Sequence, residues 1–136
     1  VSTLDAELLS KLLKDDARLQ VYFETHCEMR PDVLSYNVIG EIKGTEKPEE
    51  IILVGGHLDS WDLAQGAHDD GTGCVQSIEV LRIFKALGIK PKRTIRAVMF
   101  MNEENGLRGG RKYAEEAERL KEKHLAAIES DAGGFT

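Results

Sequence analysis

Residues 51–62 read IILVGGHLDSWD, and the fold can be inferred outward from them. The first four residues form a continuous apolar run, which is typical of a strand that is buried on both faces in a parallel sheet. Two glycines follow, and then His57, Asp59 and Asp62 place polar side chains directly after the strand. In open α/β sheets the loops at the carboxyl ends of strands bind ligands, so this stretch predicts both a sheet and a site at its edge.

Downstream of this strand, the chain alternates between helical and strand patterns. Apolar residues at steps of three or four predict a helix over residues 72–87, and residues 107–123 have the Ala, Glu, Lys and Arg content of a helix with an exposed face. Residues 95–101 and 125–128 have the pattern of two more buried strands. The order strand, helix, strand, helix, strand predicts a three-layer α/β/α sandwich with a mixed, largely parallel sheet.

Upstream of residue 51, the patterns are shorter. Leucines at helical spacing behind Ser2 predict an amphipathic helix over residues 3–14. Residues 19–24 and 38–42 alternate between apolar and polar, and we expect them to form an antiparallel pair at an edge of the sheet. The charged residues and the proline within residues 44–50 predict a solvated loop.

The length of 136 residues fits one domain. We expect it to span residues 1–136, with a lead-in helix and an edge strand in residues 1–30 and the chemistry in residues 36–136. The chain begins at Val1 without a methionine and ends shortly after a glycine pair. We therefore expect a segment of a longer protein, with the C-terminal part of the fold missing.

The composition excludes several classes of partner. Apolar residues make up 41% of the chain and charged residues 31%, as in globular domains. The net charge of −6 argues against a nucleic-acid surface, which needs clustered Lys and Arg. No apolar run approaches the ~20 residues that cross a bilayer, so we expect no membrane partner. We expect Cys27 and Cys74, which lie in stretches of different character, to be free thiols.

Four acidic or histidine-containing clusters fall at predicted strand ends and at one helix entry: residues 57–62, 66–71, 102–106 and 129–134. Each cluster alone has an ordinary explanation. A single histidine after a strand is commonly structural, and Asp69 and Asp70 are typical helix N-caps. Glu103 and Glu104 could be a solvated pair, and Asp131 could be a turn residue.

Taken together, the clusters need a shared explanation. Several carboxylates converge on one sheet edge, where like charges repel unless a positive charge neutralises them. A pair of divalent metal ions is the simplest such charge, and zinc accepts imidazole nitrogen and carboxylate oxygen at about 2.0–2.2 Å.

The same clusters resemble the ordered motifs of a known family. They are His57-Leu58-Asp59, Gly66 to Gly71, Glu103 to Gly106 and Ser130-Asp131, which are similar to the motifs of the di-zinc aminopeptidases of metallopeptidase clan MH. The run from Gly55 to Asp70, the Lys92-Arg93-Thr94 segment and the run from Glu129 to Gly133 are most similar to the carboxypeptidase Q branch. The resemblance covers residues 36–136 and implies a zinc exopeptidase of the aminopeptidase or dipeptidase type that acts on peptides.

The resemblance also implies a role for each matching residue. His57, Asp69 and Asp131 would ligate the first zinc, Asp69 would bridge to the second, and Glu104 would bind the second. Glu103 would be the general base that takes a proton from water. Asp59 would orient the imidazole, as carboxylates behind metal-bound histidines do. Asp70 would support the bridging turn, whereas His68 lies where relatives vary.

One ligand of the family pattern is not matched. The family takes a further histidine from a later segment, and neither His26, His68 nor His124 has a matching context. The intact enzyme would hold two zinc ions, whereas we expect this chain to hold one or none tightly and to be inactive by itself. We also expect possible self-association through an exposed sheet edge, and export to the periplasm or outside the cell, as in most relatives.

Two other functions fit the same fold. One is a single-zinc glutaminyl cyclase, which the carboxypeptidase Q-like run disfavours. The other is a binding or interaction domain without catalysis, against which the retained ligand set argues. Zinc content separates this last class from the peptidase, because a degenerate domain would bind no stoichiometric zinc.

Overall fold

The computed structural model describes residues 1–131 and 133. The chain divides into two compact units, Val1–Val33 and Leu34–Thr136. In the described residues no helix combines the length and apolar character that crossing a membrane requires. The elements follow in the order α1 (Thr3–Asp15), β1 (Val38–Ile42), β2 (Lys47–His57), α2 (Gly71–Ala86), β3 (Arg93–Phe100), α3 (Arg108–Arg119) and β4 (Lys123–Glu129).

The predicted lead-in helix is confirmed, and the predicted edge strand after it is wrong. Ser2 caps α1, because its hydroxyl oxygen accepts a hydrogen bond from the Asp5 N–H at 3.2 Å. Residues 19–24 form no strand, and their alternating side chains are mostly exposed. An alternating pattern becomes a strand only where a partner completes its backbone hydrogen bonds. The other half of the predicted pair, β1, lies antiparallel to β3.

The sheet is mixed and largely parallel, as the sequence predicts. Its strand order is β1-β3-β2-β4, and β2 runs parallel to both β3 and β4. The loop predicted over residues 44–50 is shorter than expected, because β2 begins at Lys47. Charged neighbours bury Glu50 inside this strand, a tertiary effect that the local sequence does not carry.

The two downstream helices cover opposite faces of the sheet. Cys74 of α2 packs with Ala97 and Met99 of β3, and Val54 and Leu81 pack against this cluster. On the other face, Tyr113 of α3 meets Phe100 edge-to-face, with ring centroids 5.7 Å apart. The three-layer α/β/α arrangement is therefore confirmed, although α3 ends at Arg119, earlier than the sequence suggests.

The parallel strands bring their carboxyl ends to one edge of the sheet. The Leu58 N–H donates to the Phe100 carbonyl at 2.6 Å, and the Ser130 N–H donates to the Gly55 carbonyl at 2.9 Å. The residues that follow β2, β3 and β4 are thus held side by side. The described residues of all four polar clusters belong to this edge or to the α2 entry beside it, and residues 132 and 134 of the last cluster lie outside the described residues.

Charge pairing fixes the opposite end of the sheet. Glu50 is 6% exposed, and its carboxylate accepts hydrogen bonds from Lys123 Nζ at 2.7 Å and from Arg93 Nε. The hydrogen bond from Lys123, followed by that from Arg93, lowers the pKa of Glu50 to about 2. These contacts join β2 to β4 and β3 at the end of the sheet that lies away from the polar clusters.

Glu50 makes the stability of the fold depend on pH. Because its pKa is lower in the folded chain than in the unfolded one, its stabilising contribution is present above the ordinary carboxyl pKa. The contribution is lost as pH falls from about 5 toward about 2. Urea unfolding at several pH values should therefore show Glu50→Gln less stable than wild type at pH 7, with a difference that disappears near pH 2.

The matched control is Glu46→Gln, which removes a carboxylate from an exposed pair with Lys92. Surface substitutions of this kind change the unfolding free energy by less than about 0.5 kcal/mol. A difference between Glu50→Gln and wild type that stays constant from pH 7 to pH 2 would contradict the role given to Glu50.

Candidate metal centre

His57 ends β2 and is the buried centre of the polar edge, with 1% of its surface exposed. Its Nδ1 lies 2.9 Å from the backbone carbonyl of Asp59, which can only accept a hydrogen bond, so Nδ1 carries a proton. The other nitrogen, Nε2, faces the carboxylates of Asp69 at 3.0 Å and Asp131 at 3.5 Å. In the neutral imidazole, Nε2 presents its lone pair to that space.

The surrounding charges favour a cation at this point. Burial by itself lowers the pKa of His57, but the hydrogen bonds to Asp59 and Asp69 and the charges of Asp70 and Asp131 outweigh it. The pKa of His57 is therefore raised. The field that favours a proton on the imidazole equally favours a metal ion beside it.

The structure brings together three residues that the sequence analysis expected to converge. His57, Asp69 and Asp131 each offer one ligand atom, and these atoms all lie within 4.8 Å of one another. One imidazole nitrogen and two carboxylate oxygens form a donor set that zinc accepts. Asp69 and Asp131 are half exposed, so the centre is open to solvent on one side.

Asp70 holds the backbone next to this cluster in place. Its carboxylate is 1% exposed and accepts the His57 N–H at 2.9 Å and the Gly73 N–H at 3.0 Å. Asp70 is thus the N-cap of α2, as the ordinary explanation of the sequence suggested for it. Burial raises the pKa of Asp70 above its usual value, and its peptide bond with Asp69 is cis.

Glu103 and Glu104 follow β3 on a loop that Asp59 holds. The Glu103 N–H donates to Asp59 Oδ1 at 2.9 Å, and the Glu104 N–H donates to Asp59 Oδ2 at 3.3 Å. The Asp59 carboxylate is 3.8 Å from His57 Nδ1, whereas the Asp59 backbone carbonyl is at 2.9 Å. The imidazole is therefore oriented mainly by the carbonyl, and the carboxylate binds the glutamate loop.

The two glutamates differ in their distance from the three-residue cluster. Glu103 Oε2 lies 4.0 Å from His57 Nε2, at the border of the cluster. Glu104 is not part of the group of ligand atoms found among the described residues. Its Oε1 is buried without a hydrogen-bond partner, and burial, followed by the charge of Asp69, raises its pKa. A buried orphan oxygen next to other carboxylates fits a position that binds a cation.

Among the described residues, neither His68 nor His124 contributes a ligand atom to the cluster. His124 Nε2 is 2.8 Å from the Tyr113 hydroxyl, on the face covered by α3. His26 is exposed and pairs with Glu24 at 3.0 Å. His68 lies against Gly133, where a Cβ would overlap its ring. In the described part of the chain, the structure thus adds no fourth histidine or carboxylate to His57, Asp69 and Asp131.

Sequence reasoning missed Asn37, which lies just before β1. Its Oδ1 accepts the Met101 N–H at 3.0 Å, and its Nδ2 donates to the Gly109 carbonyl at 2.8 Å. These contacts join the two ends of the loop that carries Glu103 and Glu104. An asparagine before a strand is also a common turn residue, so the local sequence held no signal that would identify this role.

Comparisons with known proteins fit this geometry. The model of peptidase family M28 matches residues 37–136. Carboxypeptidase Q of Mus musculus is 40% identical over 135 residues, which are 99% of this chain and 29% of that protein. Carboxypeptidase Q of Homo sapiens is 38% identical over 135 residues, which are again 99% of this chain and 29% of that protein. The chain thus spans less than a third of the length of these relatives.

Solved structures of peptidases also match this chain. A peptidase M28 precursor from Shewanella amazonensis matches with a TM-score of 0.76 and 42% identity over 95% of this chain and 29% of that one. A zinc aminopeptidase from Bacillus subtilis matches with a TM-score of 0.62 and 29% identity, over 71% of this chain and 24% of that one.

Gly73 allows the closest approach within the site. A Cβ at this position would overlap the Ser130 carbonyl oxygen and both carboxylate oxygens of Asp70. The first turn of α2 can therefore lie against the segment that carries Asp131 only because residue 73 has no side chain.

Gly73→Ala should accordingly push the Ser130-Asp131 segment away. We expect it to lower the unfolding free energy by about 1–3 kcal/mol, as overpacking does, and to weaken zinc binding in a chelator competition. Gly110→Ala in α3 is the control, because a Cβ there meets nothing within 4 Å. It should stabilise the chain by about 0.5–1 kcal/mol. Equal behaviour of the two variants would contradict the close approach at Gly73.

Proposed function

The chain belongs to peptidase family M28, as the resemblance of its motifs implied, and on that premise we propose that it carries the metal site of a zinc exopeptidase. The reaction would be hydrolysis of a terminal peptide bond, of the aminopeptidase or dipeptidase type. One observation carries the proposal: the ligand atoms of His57, Asp69 and Asp131 converge around a buried imidazole whose surroundings favour positive charge.

We assign the residues to zinc as follows. His57, Asp69 and Asp131 would hold the first ion, and Asp69 together with Glu104 would hold the second. The orphaned Oε1 of Glu104 and the effect of the Asp69 charge on its pKa support the second position. Asp69 and Glu104 supply only two protein ligands there, whereas a catalytic zinc has three and a water. We therefore propose that the chain as given holds at most one zinc tightly and hydrolyses little.

Glu103 would perform the proton transfers. Zinc, when bound, supplies a Lewis acid that polarises the peptide carbonyl and lowers the pKa of water. Glu103 accepts the proton of the attacking water and delivers it to the leaving amine. Its carboxylate borders the cluster and is 27% exposed, so it can meet both water and substrate.

Asp59 and Asp70 would keep these groups in place. The Asp59 carbonyl holds the His57 ring in the tautomer whose Nε2 faces the two carboxylates. The Asp59 carboxylate holds the backbone of Glu103 and Glu104. Asp70 fixes the His57 backbone against α2. Such support matters because a catalytic group displaced by about 1 Å can lose about 100-fold in rate.

Peptides are the proposed substrates. Two further proposals concern the export of the protein and its self-association. The Shewanella relative is a precursor, which supports export of this protein. Self-association through β4 is supported by its pairing with β2 alone among the described strands and by the exposure of Leu125 and Ile128. An edge strand with exposed apolar side chains favours pairing with another chain.

Zinc binding tests the proposal directly. We expect calorimetric titration of the metal-free monomer to give no more than one tight site per chain. Asp131→Asn should weaken it by more than about 100-fold, since residues that only support a ligand already account for 10–100-fold. Glu79→Gln is the control, because it removes a carboxylate from the surface of α2, where Glu79 pairs with Arg82.

An unchanged affinity in Asp131→Asn would remove this residue from the site. The absence of stoichiometric zinc from the wild-type chain would instead favour a binding domain without catalysis.

Glu103→Gln should separate binding from chemistry. In a hydrolytically active form of the protein, we expect this variant to keep its zinc while kcat falls by about 10²–10⁴-fold, the range for loss of a general base. Dipeptide hydrolysis and zinc content measured on the same samples give both results. Glu115→Gln, on the exposed side of α3, should behave like wild type. Unchanged turnover in Glu103→Gln would show that another group takes the proton.

A further inference from the structure

The loop between β3 and α3 has an unusual backbone that its neighbours must hold. It spans residues 101–109, and φ is 64° at Asn102 and 58° at Leu107, in the left-handed region. Such conformations are costly for residues with a side chain and persist where the surroundings determine them. Leu107 is also the N-cap of α3 and makes no side-chain capping hydrogen bond. Within the loop, the N–H groups of Gly106 and Leu107 donate to the Glu103 carbonyl at 3.2 and 3.1 Å. These turn contacts do not fix the two ends of the loop, which depend on its neighbours.

Asn37 closes the base of this loop. Its side-chain amide bridges the Met101 N–H and the Gly109 carbonyl, which are 64 and 72 residues away in sequence. The Gly109 N–H also donates directly to the Met101 carbonyl at 2.8 Å. A Cβ on residue 109 would overlap both Asn37 Oδ1 and Met101 O. The amide therefore fills a gap that exists because residue 109 is glycine.

Asp59 holds the middle of the loop by accepting the N–H groups of both glutamates. Asn37 and Asp59 reach the loop from different strand ends, β1 and β2. Together they fix its two ends and its centre through four backbone groups of the loop. None of these contacts needs a metal ion, so the loop is arranged before zinc binds.

We propose that Asn37 is a positioning residue for the metal centre, and that its side-chain amide, by closing the Met101–Gly109 loop, sets where Glu103 and Glu104 stand. The functional meaning of those positions rests on the proposed function, whereas the loop closure does not. Asn37 contacts neither substrate nor metal in this account and acts through the loop.

If Asn37 only stabilised the fold, replacing it would lower stability without a specific effect on the loop. The residue precedes β1, whose first residue Val38 pairs with Met99, so its amide also ends the β1–β3 ladder. Thr94 offers a matched comparison at the other end of β3. Its hydroxyl accepts the Gly44 N–H at 3.1 Å and donates to the Pro48 carbonyl at 2.7 Å, and the residue is 2% exposed. It makes the same number of bonds, far along the strand from the loop.

Amide hydrogen exchange of the metal-free chain tests the proposal, with Asn37→Ala compared with Thr94→Val. We expect Asn37→Ala to speed exchange at Glu103 and Glu104 by about three- to tenfold, the change that a lost hydrogen bond makes in a local opening equilibrium. Thr94→Val should lower the melting temperature while the ratio of exchange rates between these amides and the core of β2 stays as in wild type.

Zinc competition is the second measurement. We expect Asn37→Ala and Thr94→Val both to leave the affinity for the single tight zinc within about twofold, because its proposed ligands His57, Asp69 and Asp131 lie outside the loop. A loss of affinity in Asn37→Ala alone would contradict an action of Asn37 through the loop. If Asn37→Ala does not fold, Asn37→Asp replaces it. The aspartate keeps the acceptor for Met101 and turns an oxygen toward the Gly109 carbonyl, so exchange at both glutamates should again be faster.

Two exchange results also overturn the proposal. One is unchanged exchange at Glu103 and Glu104 in the Asn37 variants. The other is an acceleration that Thr94→Val reproduces in proportion to its loss of stability. If the wild-type chain binds no zinc, the proposed function fails, and the exchange rates still decide whether Asn37 positions the loop.

Discussion

The buried carboxylate of Asp70 joins the end of β2 to the first turn of α2, and the arrangement of the candidate metal centre depends on this contact. It accepts one N–H from His57 and one from Gly73, so the strand and the helix cannot separate without leaving a buried charge unpaired. Asp69, the preceding residue, is thereby held with its Oδ1 at 3.0 Å from His57 Nε2. The absence of a side chain at Gly73 then lets the segment that carries Asp131 approach from the end of β4.

The electrostatics of the edge follow from this close assembly. Burial and neighbouring carboxylates raise the pKa of Asp70, Glu104 and Glu129, so each of these groups resists ionisation in its surroundings. Burial by itself lowers the pKa of His57, but the hydrogen bonds to Asp59 and Asp69 and the charges of Asp70 and Asp131 raise it overall. A divalent cation would relieve the repulsion among the carboxylates and give the orphaned Glu104 oxygen a partner. The carboxylates at this edge of the sheet therefore favour binding of a positive charge.

The sequence predicted the parts of the fold that local patterns control. The apolar run before His57, the helical stripe of α2 and the alternation of elements determine the parallel strands, and thus which clusters meet. The strand expected over residues 19–24 was wrong because a two-residue period does not show whether a partner strand exists. The early start of β2 depends on the distant partners Arg93 and Lys123, which bury Glu50.

The candidate site was likewise only partly predictable from the sequence. The convergence of His57, Asp69 and Asp131 could be anticipated, because motifs after parallel strands meet at one edge. The contacts of Asn37 and the hydrogen bonds that the Asp59 carboxylate accepts from the glutamate loop could not. They join side chains to backbone groups 44 to 72 residues away. Their geometry also depends on residues with left-handed backbone conformation in the loop, which the local sequence does not predict.

X-ray absorption at the zinc edge tests the ligand assignment of the candidate metal centre, because it reports the atoms around a single bound ion. For the chain loaded with one equivalent of zinc, the account predicts nitrogen and oxygen ligands at about 2.0–2.2 Å, with the outer scattering of one imidazole. That imidazole signal should be lost in His57→Ala. A sulfur shell at about 2.3 Å from Cys27 or Cys74, or an imidazole signal that persists in His57→Ala, would contradict the assignment of the metal centre.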